Sequence, residues 1–125
     1  MRPSWAALCA EAAAGGLSAL ANAPLGALLR NPDLRRLLTA VADETATALR
    51  KAGLPLASNP ARLAARMCRE NPRRIHPWLK ALRAGKATGA GEVFGPLLKA
   101  ARKSKAPAEK LFVIAAVLRR LEKKS

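Results

Sequence analysis

Few side chains in these 125 residues can do chemistry. A cysteine nucleophile needs a base within hydrogen-bond reach. The single imidazole, His76, is the only such base for Cys9 and Cys68, and no spacing brings the three together. Two distant cysteines form no disulfide framework, and with one histidine they cannot complete the four ligands of a zinc site. They read as buried free thiols in a reducing cytoplasm, and His76 as a solvated loop residue. Asp43 and Glu44 are adjacent, so they point to different faces of a helix and suit no paired-carboxylate hydrolysis. No catalytic, cofactor-binding or metal-ligating residue is expected on these grounds.

What remains is positive charge. The formal net charge is +15 at pH 7. Residues 1–61 hold six Lys/Arg against four Asp/Glu, whereas residues 62–125 hold seventeen against four. Arg73, Arg74, Lys80, Arg83 and Lys86 form one cluster; Lys99, Arg102, Lys103 and Lys105 form a second; Arg119, Arg120, Lys123 and Lys124 follow. A polyanion that neutralises such a surface gains by counterion release, so nucleic acid is a candidate partner. The competing reading is an arginine-rich solvated surface set by composition. No helix-turn-helix pattern, Arg/Gly repeat or aromatic-basic interleaving points to reading of base sequence. Trp78, after a proline and amid the first cluster, is a candidate for stacking a base. Trp5 reads as core.

The elements that must position these groups are helices. Ala supplies 29 residues and Leu 20, while Val, Ile and Thr together number 10 and Tyr is absent. Strands pack with β-branched and aromatic residues, so the chain reads as all-α. Residues 4–21 form an Ala-rich helix, thin or kinked at Gly15-Gly16, where small residues let another backbone approach. A short turn of helix covers Pro24–Leu29. Asn31-Pro32-Asp33 starts a helix over 32–52, with Leu34, Leu37, Leu38, Val41, Thr45, Ala48, Leu49 and Ala52 on one stripe. Gly53 and Pro55 end it.

Asn59-Pro60 repeats the start signal, Leu63, Met67 and the alkyl stems of Arg62, Arg66 and Arg69 follow, and Asn71-Pro72 stops it. Pro77–Leu82 is a short helix closed by Gly85, and Thr88–Gly91 is a flexible loop. Pro96 places the next helix start near Gly95, and it runs to about Ser104. Pro107 opens the last helix, with Leu111, Ala115, Leu118 and Glu122 on its stripe and Ile114 and Leu121 beside it. The expected architecture is a single compact domain of about six helices over 1–125. No apolar run suits a membrane span, and Glu11 interrupts any leader-like segment, so a soluble, cytoplasmic protein is expected.

The order of these signals resembles the C-terminal domain of ketopantoate reductase. It is carried by Trp5 and Leu8, Leu17-Ser18-Ala19-Leu20, Pro24-Leu25-Gly26-Ala27-Leu28-Leu29, Glu44, Gly53-Leu54-Pro55, Gly95, and Pro107 with its terminal helix, over about residues 5–122. The resemblance implies a helical domain like that of 6-phosphogluconate dehydrogenase. In the complete enzyme it packs on an N-terminal dinucleotide-binding domain, and ketopantoate is reduced with NADPH in the cleft. No such domain is read in this chain: Gly85, Gly89 and Gly91 follow no strand.

The family's chemical positions have also changed. Its acid lysine corresponds to Ala7, which cannot protonate a developing alkoxide. Its hydroxy-acid-binding asparagine corresponds to Gly15. Its Ser-Ser-Met-x-x-Asp segment corresponds to His76-Pro77-Trp78-Leu79-Lys80-Ala81, and its Thr-Glu-Ile-Asp to Thr88-Gly89-Ala90-Gly91.

The expectation is therefore a stand-alone domain, non-catalytic and without a cofactor, that binds a polyanion through its basic half. One alternative is the substrate-domain part of a reductase acting with a separate Rossmann-domain subunit. Another is a helical self-association or protein-interaction module, self-association running through the small residues of the first helix.

Overall fold

The computed structural model describes residues 4–124; the side chains of Lys123 and Lys124 lie outside this description. Among the described residues there are seven helices and no strand: α1 (Trp5–Ala21), α2 (Ala27–Arg30), α3 (Pro32–Lys51), α4 (Pro60–Glu70), α5 (Pro77–Arg83), α6 (Gly91–Ser104) and α7 (Glu109–Lys124). The all-α reading holds, and the seven helices agree with the expectation of about six.

Local chemistry sets most boundaries. Three helices begin with a capping side chain followed by proline at the first position, where a missing N–H costs nothing. Asn31 Oδ1 accepts from Leu34 N–H at 3.0 Å, and Asn59 Oδ1 from Arg62 N–H at 3.2 Å. His76 caps α5 in the same way, its Nδ1 accepting from Trp78 N–H at 3.1 Å. Asn22 closes α1 at φ 53°, a left-handed position that asparagine tolerates.

The first helix is the axis of the molecule. It touches each of the other six helices, and residues 12–19 are buried without a break. A helix enclosed on every side must be apolar on every side. The one polar side chain in that run, Ser18, has its hydroxyl tied to Ala23 C=O at 2.6 Å. α1 is continuous through Gly15-Gly16, and the glycines act on neighbours rather than on the helix itself. A Cβ on Gly15 would lie 2.7 Å from the His76 ring and 2.8 Å from Trp78. One on Gly16 would lie 2.6 Å from Ile114. Bare backbone on one side seats α5, and on the other α7. The small residues of α1 are thus occupied within the chain, which removes the expected basis for self-association.

Several other expectations change. α6 begins at Gly91, a turn earlier than Pro96 suggested. The reason is Phe94, 3 % exposed and packed on Trp78, whose burial outweighs the proline's missing hydrogen bond. Thr88–Gly91 is not a free loop. Thr88 N–H donates to Glu122 at 3.0 Å, its hydroxyl also bonds that carboxylate, and Ala90 N–H donates back to Thr88 Oγ1 at 3.1 Å. On α4 Pro60, Ala64 and Cys68 fill the core, Leu63 and Met67 pack against it, and Arg62, Arg66 and Arg69 are exposed. Leu37 stands exposed although the α3 stripe placed it inside.

Candidate functional site

Glu11 is the only charged residue of α1, and it joins that helix to the start of α5. Its Oε1 is hydrogen-bonded to His76 Nε2. His76, expected in solvent, is 1 % exposed. Because Nδ1 accepts from the Trp78 amide, the ring proton sits on Nε2 and is donated to Glu11. Both ring nitrogens are thereby engaged. The imidazole can serve as a base only by giving up the cap of α5 or its carboxylate partner. The Trp78 ring stands edge-on to it, with centroids 4.8 Å apart. Together the two rings occupy the space that a side chain at position 15 would need.

The hydrogen bond from His76 holds the Glu11 carboxyl below its ordinary value, against the burial that raises it; the charge of Arg74 assists. Glu11 remains ionised at neutral pH. Two cavities open on either side of it and share Ala7 and Glu11 as walls. One, about 380 Å³, is completed by α4 and the following segment, with Leu63, Met67, Arg66 and Arg74. The other, about 450 Å³, is walled by Leu8, Trp78, Thr88, Glu92 and Val93. Ala7 presents only a methyl group to both, and Gly89, at φ +76°, adds no side chain to the second. The pair Glu11–His76 was not anticipated from sequence. Two signals were available: a lone carboxylate in an otherwise apolar helix, and a His-Pro at a helix start in the pattern of the two Asn-Pro starts.

The cysteines offer no nucleophile. Both are buried and free. Burial pushes the Cys9 thiol up to about 12 and that of Cys68 up to about 11, so each stays protonated. Among the described residues, no group of three or more His, Cys, Asp and Glu is placed to hold a metal. Nor is any described helix long and apolar enough to cross a membrane.

The basic residues are separated by the fold. Every described Lys and Arg from Arg62 to Arg120 is exposed. The turn after α1 gathers the first cluster. Leu25 N–H donates to Arg74 C=O at 3.0 Å, Gly26 N–H to Pro72 C=O at 2.8 Å, and Arg83 holds Asn22 Oδ1 at 2.8 and 3.0 Å. Arg66 joins that cluster to α4, because it lines the cavity of Arg74 and also an open one of about 630 Å³ with Arg62 and Arg69. This α4 row was not counted among the basic candidates from sequence. Lys99 and Lys103 lie elsewhere, around a cavity of about 240 Å³ with half-buried Trp5 and Leu54. Trp5 and Ala7 are two positions apart on a helix and so face nearly opposite sides. The Lys99–Lys105 cluster is therefore not continuous with the first. Trp78 does not meet the stacking expectation as placed: it is 6 % exposed and packed between His76 and Phe94. Stacking a base would require it to leave the core.

Comparison with known proteins agrees with this arrangement of helices. Residues 1–122 match the family described as ketopantoate reductase PanE/ApbA C terminal. A solved structure, a PanE/ApbA family ketopantoate reductase from Ralstonia eutropha JMP134, superposes with a TM-score of 0.86 at 25 % identity. The match covers 96 % of this chain and 40 % of the reductase, so the chain spans less than half of that enzyme's length. No curated protein sequence matches. The chain belongs to the ketopantoate reductase family, as a form of its C-terminal helical domain.

Proposed function

We propose that this domain does not itself reduce ketopantoate and acts by binding a polyanion, such as nucleic acid, through its basic second half. The observation that carries the reading is the exposure of every described Lys and Arg from Arg62 to Arg120, with only Arg66–Glu70 and Lys110–Glu44 ion-paired among them. Charges held apart from carboxylates and in water are the ones a phosphate backbone can neutralise. The contact surface is the face built from α4, the 71–76 segment and α5, where Arg62, Arg69, Arg73, Arg74 and Lys80 are exposed. The non-catalytic half of the reading is supported by Ala7 in the wall of both cavities and by Glu11, whose ionised carboxylate is already bonded to His76. Neither group supplies the ammonium acid that the family resemblance implies.

The test is fluorescence anisotropy of labelled duplex DNA and duplex RNA at about 50 mM and about 200 mM salt. Log K is expected to fall linearly with log salt, with a slope of about −0.9 per phosphate neutralised on DNA. Arg73→Glu with Arg74→Glu should weaken binding strongly, and Lys99→Glu with Lys103→Glu much less. Absence of binding at the lower salt would refute the polyanion reading. NADPH-dependent ketopantoate reduction by the purified chain would refute the non-catalytic one.

A further inference from the structure

Four large apolar side chains are exposed among the described residues, and three of them stand together on α7. Phe112 is 62 % exposed, Val113 53 % and Val117 41 %. They lie opposite Leu111, Ile114, Ala115 and Leu118, which fill the core. One face of α7 is therefore accounted for by the fold and the other is not.

The exposed face has a definite relief. Residues four apart on a helix form ridges. Phe112 and Ala116 make one such ridge, and Val113 and Val117 make the next. The groove between adjacent ridges is where a ridge of another helix packs. Ala116, small and exposed, leaves room beside Phe112. Farther along α7 stand Arg119 and Arg120, both exposed and neither ion-paired among the described residues.

Charge selects among occupants. A second copy of this chain would bring its own +15 to the contact and be repelled. A nucleic acid backbone would satisfy the arginines and leave the valines and Phe112 in water. We infer that the outer face of α7 docks an acidic amphipathic helix of another protein. Its apolar ridge lies in the groove between the Phe112 and Val113 ridges, and its carboxylates meet Arg119 and Arg120. This surface is separate from the α4–α5 face and does not depend on the polyanion reading.

The probe is a fluorescein-labelled synthetic helix of about 18 residues, about five turns, with leucine on one stripe and glutamate elsewhere. It is titrated against the full chain. Saturable binding is expected, weakened about tenfold or more by Val113→Gln with Val117→Gln, and similarly by Arg119→Glu with Arg120→Glu. All four positions are exposed, so each variant should keep the helical circular dichroism spectrum and a cooperative melt, and a lost signal is a lost contact. A peptide with glutamine for leucine at equal charge should bind about tenfold more weakly or worse.

Equal binding of that control would reduce the effect to charge and overturn the proposal. So would indifference of the leucine peptide to both double variants, or no binding at all. Two further results would reassign the face and equally overturn it. One is association with phosphatidylserine vesicles but not with the peptide. The other is a dimer, seen by sedimentation equilibrium, that Val113→Gln with Val117→Gln dissolves.

Discussion

At the scale of single residues, the centre of interest is a half-buried carboxylate, the only charged group of an otherwise apolar helix. Glu11 sits on the most enclosed helix, and its compensation comes from 65 residues away, as the Nε2–H of His76. The consequence can be measured. The folded Glu11 carboxyl titrates below its ordinary 4.5. A depressed folded value means that its contribution to stability is complete above pH 4.5 and is lost as pH falls through the lower folded value. Glu11→Gln keeps an acceptor for His76 but removes this titration. The urea midpoint of the wild type should therefore drop more between pH 6 and pH 3 than that of the variant, and parallel losses would contradict the pairing. Much of this site was illegible in sequence because the pair is joined only by tertiary contact. Cys9 and Cys68 were legible as core thiols, since burial of a small apolar group needs no partner. His76 was not, because a histidine before a proline in a short segment carries no sign of what will cover it.

At the scale of helices, capping residues and prolines made boundaries legible within a residue or two. Asn31-Pro32 and Asn59-Pro60 both start helices where their side chains bond the first turn. The failures arose where packing opposed a local preference. Phe94 drew α6 back past Pro96. The two glycines of α1 read both as a weak point and as a place where another backbone approaches; the helix is continuous there, and they serve as the seats of other helices. That difference sets a test in which two effects oppose each other. In an isolated helix, Gly→Ala should stabilise by about 1 kcal/mol. At Gly15 the new methyl group would press on the rings of His76 and Trp78, both buried, and overpacking of that kind costs about 1–3 kcal/mol. Gly15→Ala should therefore lower the denaturation midpoint. A rise would mean that α5 shifts away freely and that the close approach is incidental.

At the scale of the whole molecule, the dominant quantity is net charge. With +15 on 125 residues, the folded state concentrates like charges that the unfolded chain spreads apart. Raising ionic strength from about 10 mM to about 150 mM shortens the Debye length from roughly 30 Å to roughly 8 Å. The melting temperature should rise across that range. No change would mean that the clusters at the two sides of α1 are too far apart to repel appreciably. The charge total was plain in the sequence, whereas its division between separate faces was not. Residues 73 and 99 are equally basic in a linear reading, and only the path of α1 shows that they lie on different sides.

The enclosure of α1 also bears on how the chain is made. Gly16 leaves the ribosome well before Phe94 and Ile114, the residues that finally cover it. At about 5–20 residues per second, synthesis separates Gly16 from Ile114 by roughly 5–20 s. Helix formation takes microseconds or less, so α1 can form long before its cover exists. For that interval an apolar helix whose 12–19 stretch has no solvated face depends on α3 and α4 for partial shelter, or on a chaperone. Synonymous codons that slow translation between α4 and α7 would lengthen the exposure, and the yield of soluble protein would register it.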